Sequence, residues 1–150
     1  MSADQQLPFA PAALTLDGFF LLRATVQPTN ASDERSWSLD LVHHADEAGT
    51  LRRYYVFANL QAVHEGWLVG STVGGRIHLP KSVTLEELPV PAFEAECRRL
   101  FEETLWDAAA TYARQLCAMG RVEGLLIPAS SPGERWAASL DHERKPSQSA

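Results

Sequence analysis

The stretch PAFEAECRRLFEETLWDAAATYARQLCAM, residues 91–119, decides the fold. Within it Phe93, Cys97, Leu100, Phe101, Leu105, Ala108, Ala109, Tyr112, Leu116 and Met119 step by three and four. That rhythm puts them on one face of an α-helix. Glu94, Glu96, Arg98, Glu102, Glu103, Asp107, Arg114 and Gln115 take the other face. Glu94–Arg98, Arg98–Glu102 and Arg99–Glu103 are opposite charges four residues apart, which supports a helix. Pro91 suits a first helical turn and Gly120 a stop, so the helix is expected to run roughly 40 Å. A helix with one apolar face needs something flat to cover.

The residues before it supply a sheet. Phe19 to Gln27 reads as a strand with Phe20, Leu22, Ala24 and Val26 on one face. Turn residues at 28–34 break it. A second strand runs from about Trp37 to His44, where Trp37, Leu39 and Leu41 alternate with Ser38 and Asp40. Asp46 to Gly49 is turn chemistry, and Leu51 to Ala58 returns as the third strand of a hairpin. Past His64-Glu65-Gly66, a fourth strand from Trp67 to about Leu79 carries Gly70, Gly74 and Gly75, which bend it or divide it in two. Thr84 and Glu87 have capping-box spacing for a short helical turn. Leu125 to Ile127 is a short extended segment ahead of Pro128. The fold class expected is α+β, a four- to five-stranded antiparallel meander sheet packed by one long C-terminal helix. Residues 1–13 are expected to be a flexible lead-in, 14–130 a single domain, and 131–150 a disordered tail.

Composition narrows the function. A chain of 150 residues with 45% hydrophobic content is one ordinary domain. Thirteen basic residues against nineteen acidic give a net charge of −6, and the only lysines are Lys81 and Lys145. That balance disfavours nucleic acid, whose affinity rests on cations meeting phosphates. Apolar runs such as Phe19 to Leu22 fall far short of the ~20 residues of a membrane span, and the first six residues carry no signal pattern. Cys97 and Cys117 lie about 30 Å apart along one helix, too far for a bond, and are expected to be buried thiols in a reducing cytoplasm.

Catalytic chemistry is poorly supplied. None of His43, His44, His64, His78 and His142 sits in a zinc-type spacing. His43 and His44 are strand neighbours and point to opposite faces. No serine occupies a nucleophile elbow, and the 70–76 glycine segment lacks the ending of a phosphate loop. No enzyme, metal or cofactor is expected. If a small-ligand enzyme were hidden here, His64, Glu65 or His78 in a cleft would be its residues. The aromatics say more: Trp37, Tyr54, Tyr55, Phe57 and Trp67 crowd the strands, and one of the adjacent tyrosines must face away from the helix. An outward aromatic on a strand suits contact with another chain.

The order of four strands, long helix and Leu-Leu-Ile-Pro segment resembles the SecB protein-export chaperone family over residues 14–130. The residues that carry the likeness are Thr84 to Leu88, the Leu105-Trp106 pair, Gly120, and Gly124 to Pro128. Asp107 stands where that family usually has proline, and its Cys/His metal-binding tail is missing. The divergent SecB-like chaperones, some of which assist antitoxins, remain open. The resemblance implies a cytoplasmic homo-oligomer, a dimer or a tetramer built through sheet edges and helices, that holds unfolded polypeptide in hydrophobic grooves without ATP. Strand exposure nominates Tyr54, Phe57, Trp67 and Leu68 as client contacts. The alternative is a small immunity or phage-type inhibitor that binds one folded partner.

Overall fold

The computed structural model describes residues 7–10, 13–45, 52–80 and 88–136. Four strands, β1 (Thr15–Pro28), β2 (Glu34–Ala45), β3 (Arg52–His64) and β4 (Trp67–His78), are followed by one helix, α1 (Val90–Gly120). The strands form one antiparallel sheet, with α1 packed across one side of it. The fold class expected from the sequence is the one observed, with four strands rather than five. The capping-box turn at 84–88 falls mostly, and the end of the tail wholly, outside the described residues.

Hairpins build β2, β3 and β4 in chain order. The β3–β4 turn has Glu65 and Gly66 both at positive φ, 46° and 81°, the two-residue geometry that matches the twist of paired strands. The Glu65 backbone N–H donates to Asp33 Oδ1 at 2.9 Å, which pins the turn to the start of β2. β1 then lies beside β4, so the spatial order is β1-β4-β3-β2. Gly70, Gly74 and Gly75 do not divide β4. Two of them make room instead: a Cβ on Gly74 would stand 2.3 Å from the Phe20 ring, and one on Gly75 2.7 Å from Leu16 Cδ1.

Two register shifts interrupt β1, leaving Gly18, Phe19 and Leu22 without a partner on β4. Gly18 sits at φ 63°, the left-handed backbone a bulge glycine takes. The bulges break the simple alternation expected for this strand. Leu21, Ala24 and Val26 pair with Val73, Ser71 and Val69 on the helix side, whereas Phe20 pairs with Gly74 on the open side.

Helix-side residues of β3 and β4, from Tyr54 to Ala62 and from Val69 to Ile77 at alternate positions, make the core floor. On the helix the buried row is Phe93, Cys97, Leu105, Ala109 and Ala113, with Phe101 half-buried between. This is a ridge of fourth residues, which inclines to the helix axis and so rotates the buried face along its length. The helix accordingly starts over β3, where Phe93 meets Tyr54, and crosses β4, where Ser71 Oγ donates to the Ala109 carbonyl at 2.7 Å. It ends on β1 at Val26. Tyr112 and Met119, placed on the apolar stripe by spacing alone, are left exposed.

Trp106, like Ala110 and Ala113, is a residue that spacing did not place, and it is fully buried. It stands edge-on to Trp37 of β2 at 4.9 Å and to Trp136 at 5.4 Å. Its indole N–H donates to the Pro128 carbonyl at 3.0 Å. A second cover thus lies on the helix: residues 122–136 strap along the side away from β1. At the helix end, Gly120 is not the left-handed stop. A Cβ there would come 2.6 Å from Val26 Cγ2, so this glycine serves close approach to β1. The left-handed residue is Arg121, at φ 53°, and the Val122 N–H closes the turn on the Cys117 carbonyl.

Candidate protein-binding groove

β2 is an edge strand, and its helix side presents Trp37, Leu39 and Leu41 opposite Leu60, Ala58 and Val56 of β3. The first turns of α1 rise beside it. Between them lies a groove of about 530 Å3, lined by Leu39, Leu41 and Val56 from the sheet and Pro91, Ala95 and Cys97 from the helix. Asp40, Glu94 and Arg98 line its rim. The floor is apolar because β2 alternates and because the helical row places Cys97 downward.

Cys97 behaves as a hydrocarbon here. Burial pushes its thiol up to about 12, and Glu94 and Glu96 push the same way. The half-buried Cys117 thiol is also raised by burial. Near neutral pH a thiol reagent should therefore modify Cys97, at the floor of the groove, more slowly than the half-buried Cys117. Two equally fast thiols in a time-resolved labelling assay would contradict this geometry.

One end of the groove is shut and the other open. At the shut end Glu102 Oε1 accepts from Trp37 Nε1 at 3.0 Å, from Ser131 Oγ at 3.0 Å and from Arg98 Nη1 at 3.3 Å. The strap is held there by Arg114 Nη2, which donates to the Ile127 and Pro128 carbonyls at 3.2 and 2.9 Å. The Ser131 N–H meets the Glu103 carboxylate. Beyond Leu39 and Leu41 no such cover exists among the described residues.

The four residues nominated from the sequence do not gather at one place. Tyr54 is buried between Phe93, 4.9 Å away, and His43, 5.2 Å away, and works as a core post. Trp67 is half-buried at the β3–β4 turn, on the helix side, packed against the core. Phe57 and Leu68 lie on the opposite, open side of the sheet. Phe57 stacks edge-on with Phe20 at 6.0 Å, and Leu68 borders a shallow polar hollow with Arg23, Thr25, Gln27 and Gln61. Of the two tyrosines, Tyr55 is the one turned away from the helix, half-buried on the open side. Sequence reasoning missed Leu39, Leu41, Pro91 and Cys97 as a lining set. The available signal was the pattern of apolar residues at 37, 39 and 41 together with Pro91.

His64 and His78 do not share a cleft. His64 Nδ1 lies 3.5 Å from Asp33 at one end of the sheet. His78 Nε2 lies 2.7 Å from Asp17 at the other, roughly 35 Å away along a twelve-residue strand. The hydrogen bond to His78, more than the nearby charges of His78 and Arg76, holds Asp17 below the ordinary carboxylate value. No group of three or more potential metal ligands occurs among the described residues. No helix among them is long and apolar enough to cross a membrane.

Apolar surface is concentrated on β1. Phe19, Phe20, Leu21 and Leu22 are all exposed, Leu22 by 61%. Tyr112, Met119 and Leu126 are exposed on the helix and strap.

No family model matches the chain. No curated protein matches it either. Among solved structures it is similar to the Mycobacterium tuberculosis Rv1957 SecB-like chaperone in complex with a ChAD peptide from the Rv1956 HigA1 antitoxin. That match has 17% identity, a TM-score of 0.50, and covers 80% of this chain and 89% of the other. A second, a Streptococcus agalactiae protein of unknown function, has 9% identity and a TM-score of 0.45, covering 77% and 95%. The likeness to the SecB-like chaperone is one of fold.

Proposed function

We propose that this chain is an ATP-independent, SecB-like chaperone or related protein-binding module that holds unfolded or partly folded polypeptide in the groove between β2 and α1. The observation that carries the reading is the groove itself: an apolar floor of Leu39, Leu41, Val56 and Cys97, open at the edge of the sheet, with charge confined to the rim. A floor of this kind accepts many sequences, because apolar contact is non-directional. A net charge of −6 keeps a protein with so much exposed apolar surface in solution. The shared fold with a SecB-like chaperone that is bound to a partner's peptide supports the same reading. The protein works by binding alone in the cytoplasm, without turnover and without a cofactor.

Aggregation of a chemically unfolded substrate should be suppressed at near-stoichiometric ratios, equally with and without ATP. A monomer that leaves aggregation unchanged would sink the chaperone reading and favour an inhibitor of one folded partner.

Self-assembly follows from β1. Phe19, Phe20, Leu21 and Leu22 are exposed along the β1 edge, Phe20 on the open side and Leu21 on the helix side, and a second copy covers this edge; Tyr112 and Met119 offer a further contact on the helix. The protein assembles as a dimer or as a tetramer near four times 16.5 kDa. Leu22→Asp places a charge in the β1 patch and should shift the light-scattering mass to that of the monomer while the circular dichroism spectrum is kept. A mass unmoved by the substitution would exclude β1 from the interface.

A further inference from the structure

We propose that the bound polypeptide docks as a strand, adding to the outer edge of β2 so that every second side chain drops into the groove over Leu39 and Leu41. This rests on the groove reading above and gives it a backbone mechanism.

The two edges of the sheet differ. β1 is interrupted by two bulges and ends in Pro28, features that blunt an edge against pairing. β2 has neither. It pairs with β3 residue for residue from Glu34↔Val63 to Ala45↔Arg52 without one shift, and its twelve residues include no proline and no lysine. Among the described residues no backbone hydrogen bond joins its outer side to any other element. A regular row of unused N–H and C=O groups is a template for one more strand.

The groove sits where that strand would send its side chains. Residues two apart on a strand share a face and lie ~7 Å apart. Leu39 and Leu41 repeat at that interval along the groove floor, and a cavity of about 530 Å3 receives a short row of apolar side chains. Chemistry at the rim selects the flanks. Arg98 is engaged by Glu102, and Asp40 Oδ2 accepts from Asn59 Nδ2 on the open side of the sheet, which leaves Glu94 to set the sign of the rim. The occupant is therefore an extended segment with alternating apolar residues and basic flanks.

A second copy fits this edge less well. Two β2 strands paired about a twofold would carry both helices on the same side of one continuous sheet. Each copy's Leu39 and Leu41 already face its own helix, so neither cavity would be filled. A twofold centred on position 40 would also set Asp40 against itself.

The test uses the full chain and a synthetic peptide of alternating leucine and threonine with two lysines at each end. Two further peptides carry N-methyl groups on alternate amides, one in each phase. An N-methyl group removes a donor and blocks approach of a neighbouring strand, so the phase facing β2 should lose at least tenfold in affinity while the other stays within twofold. Amide exchange in residues 36–42 should slow on binding of the parent peptide. Glutamate flanks in place of lysine should weaken binding. If both methylated peptides bind like the parent, strand addition is wrong and the groove reading survives. If protection appears in β1 instead, or grows in residues 36–42 with protein concentration alone, the edge assignment is overturned. If no peptide binds and aggregation is not suppressed, the groove reading itself fails.

Discussion

Trp106→Ala should lower the stability of the fold by about 3–5 kcal/mol, a large part of the 5–15 kcal/mol that holds an ordinary domain. The indole is fully buried and ties the helix to two parts of the chain: to β2 through Trp37, and to the strap through Trp136 and, by its N–H, the Pro128 carbonyl. Alanine leaves a void that two other indoles cannot close without moving. The hydrogen bond is the smaller component, because Arg114 Nη2 also donates to the Pro128 carbonyl. Trp106→Phe, which keeps most of the packing and loses the donor, should therefore cost nearer 1 kcal/mol. Urea unfolding midpoints of the two variants separate packing from bonding. Equal losses would mean that the indole acts mainly through its N–H.

Leu41→Asp should reduce affinity for an apolar extended peptide by roughly tenfold to a hundredfold, at about 1.4 kcal/mol per factor of ten. Leu41 is a half-buried groove residue on an edge strand, opposite Val56. A carboxylate there would lose water each time a peptide side chain entered. In the free protein it keeps access to solvent, so stability should fall by less than binding does. Fluorescence anisotropy of a labelled peptide, with a thermal melt of the same sample, reads both quantities. Unchanged affinity with the melt intact would move the binding site elsewhere, to the β1 patch in the first instance.

The helix could be read from sequence because its period is local: three and four residues bring side chains together whatever the rest of the chain does. Which part of that period is buried is not local. Trp106 is covered by the strap through Trp136 and Pro128, and Tyr112 and Met119 are left out because the ridge of fourth residues turns away from them. The strands were recognisable from alternation, yet alternation cannot say which strand ends at an edge. Leu39 and Leu41 have the same pattern as core residues, and they became a groove only because β2 is last in the order β1-β4-β3-β2. The same non-local ordering explains Tyr54. An aromatic on a strand looks equally suited to a surface or a core, and the arrival of Phe93 at the start of the helix decided it.

The place of β1 also bears on the order of folding. β2, β3 and β4 are joined by short connections, whereas β1 reaches β4 across most of the sheet-forming sequence, from Pro28↔Trp67 to Thr15↔His78. Loop closure of that span carries an entropic cost that the hairpins do not bear, so β1 is expected to dock last. Its apolar patch then takes final shape only when the monomer is complete. If copies meet on that surface as proposed, a nascent or partly folded chain would lack it, and assembly would be tied to the last step of folding.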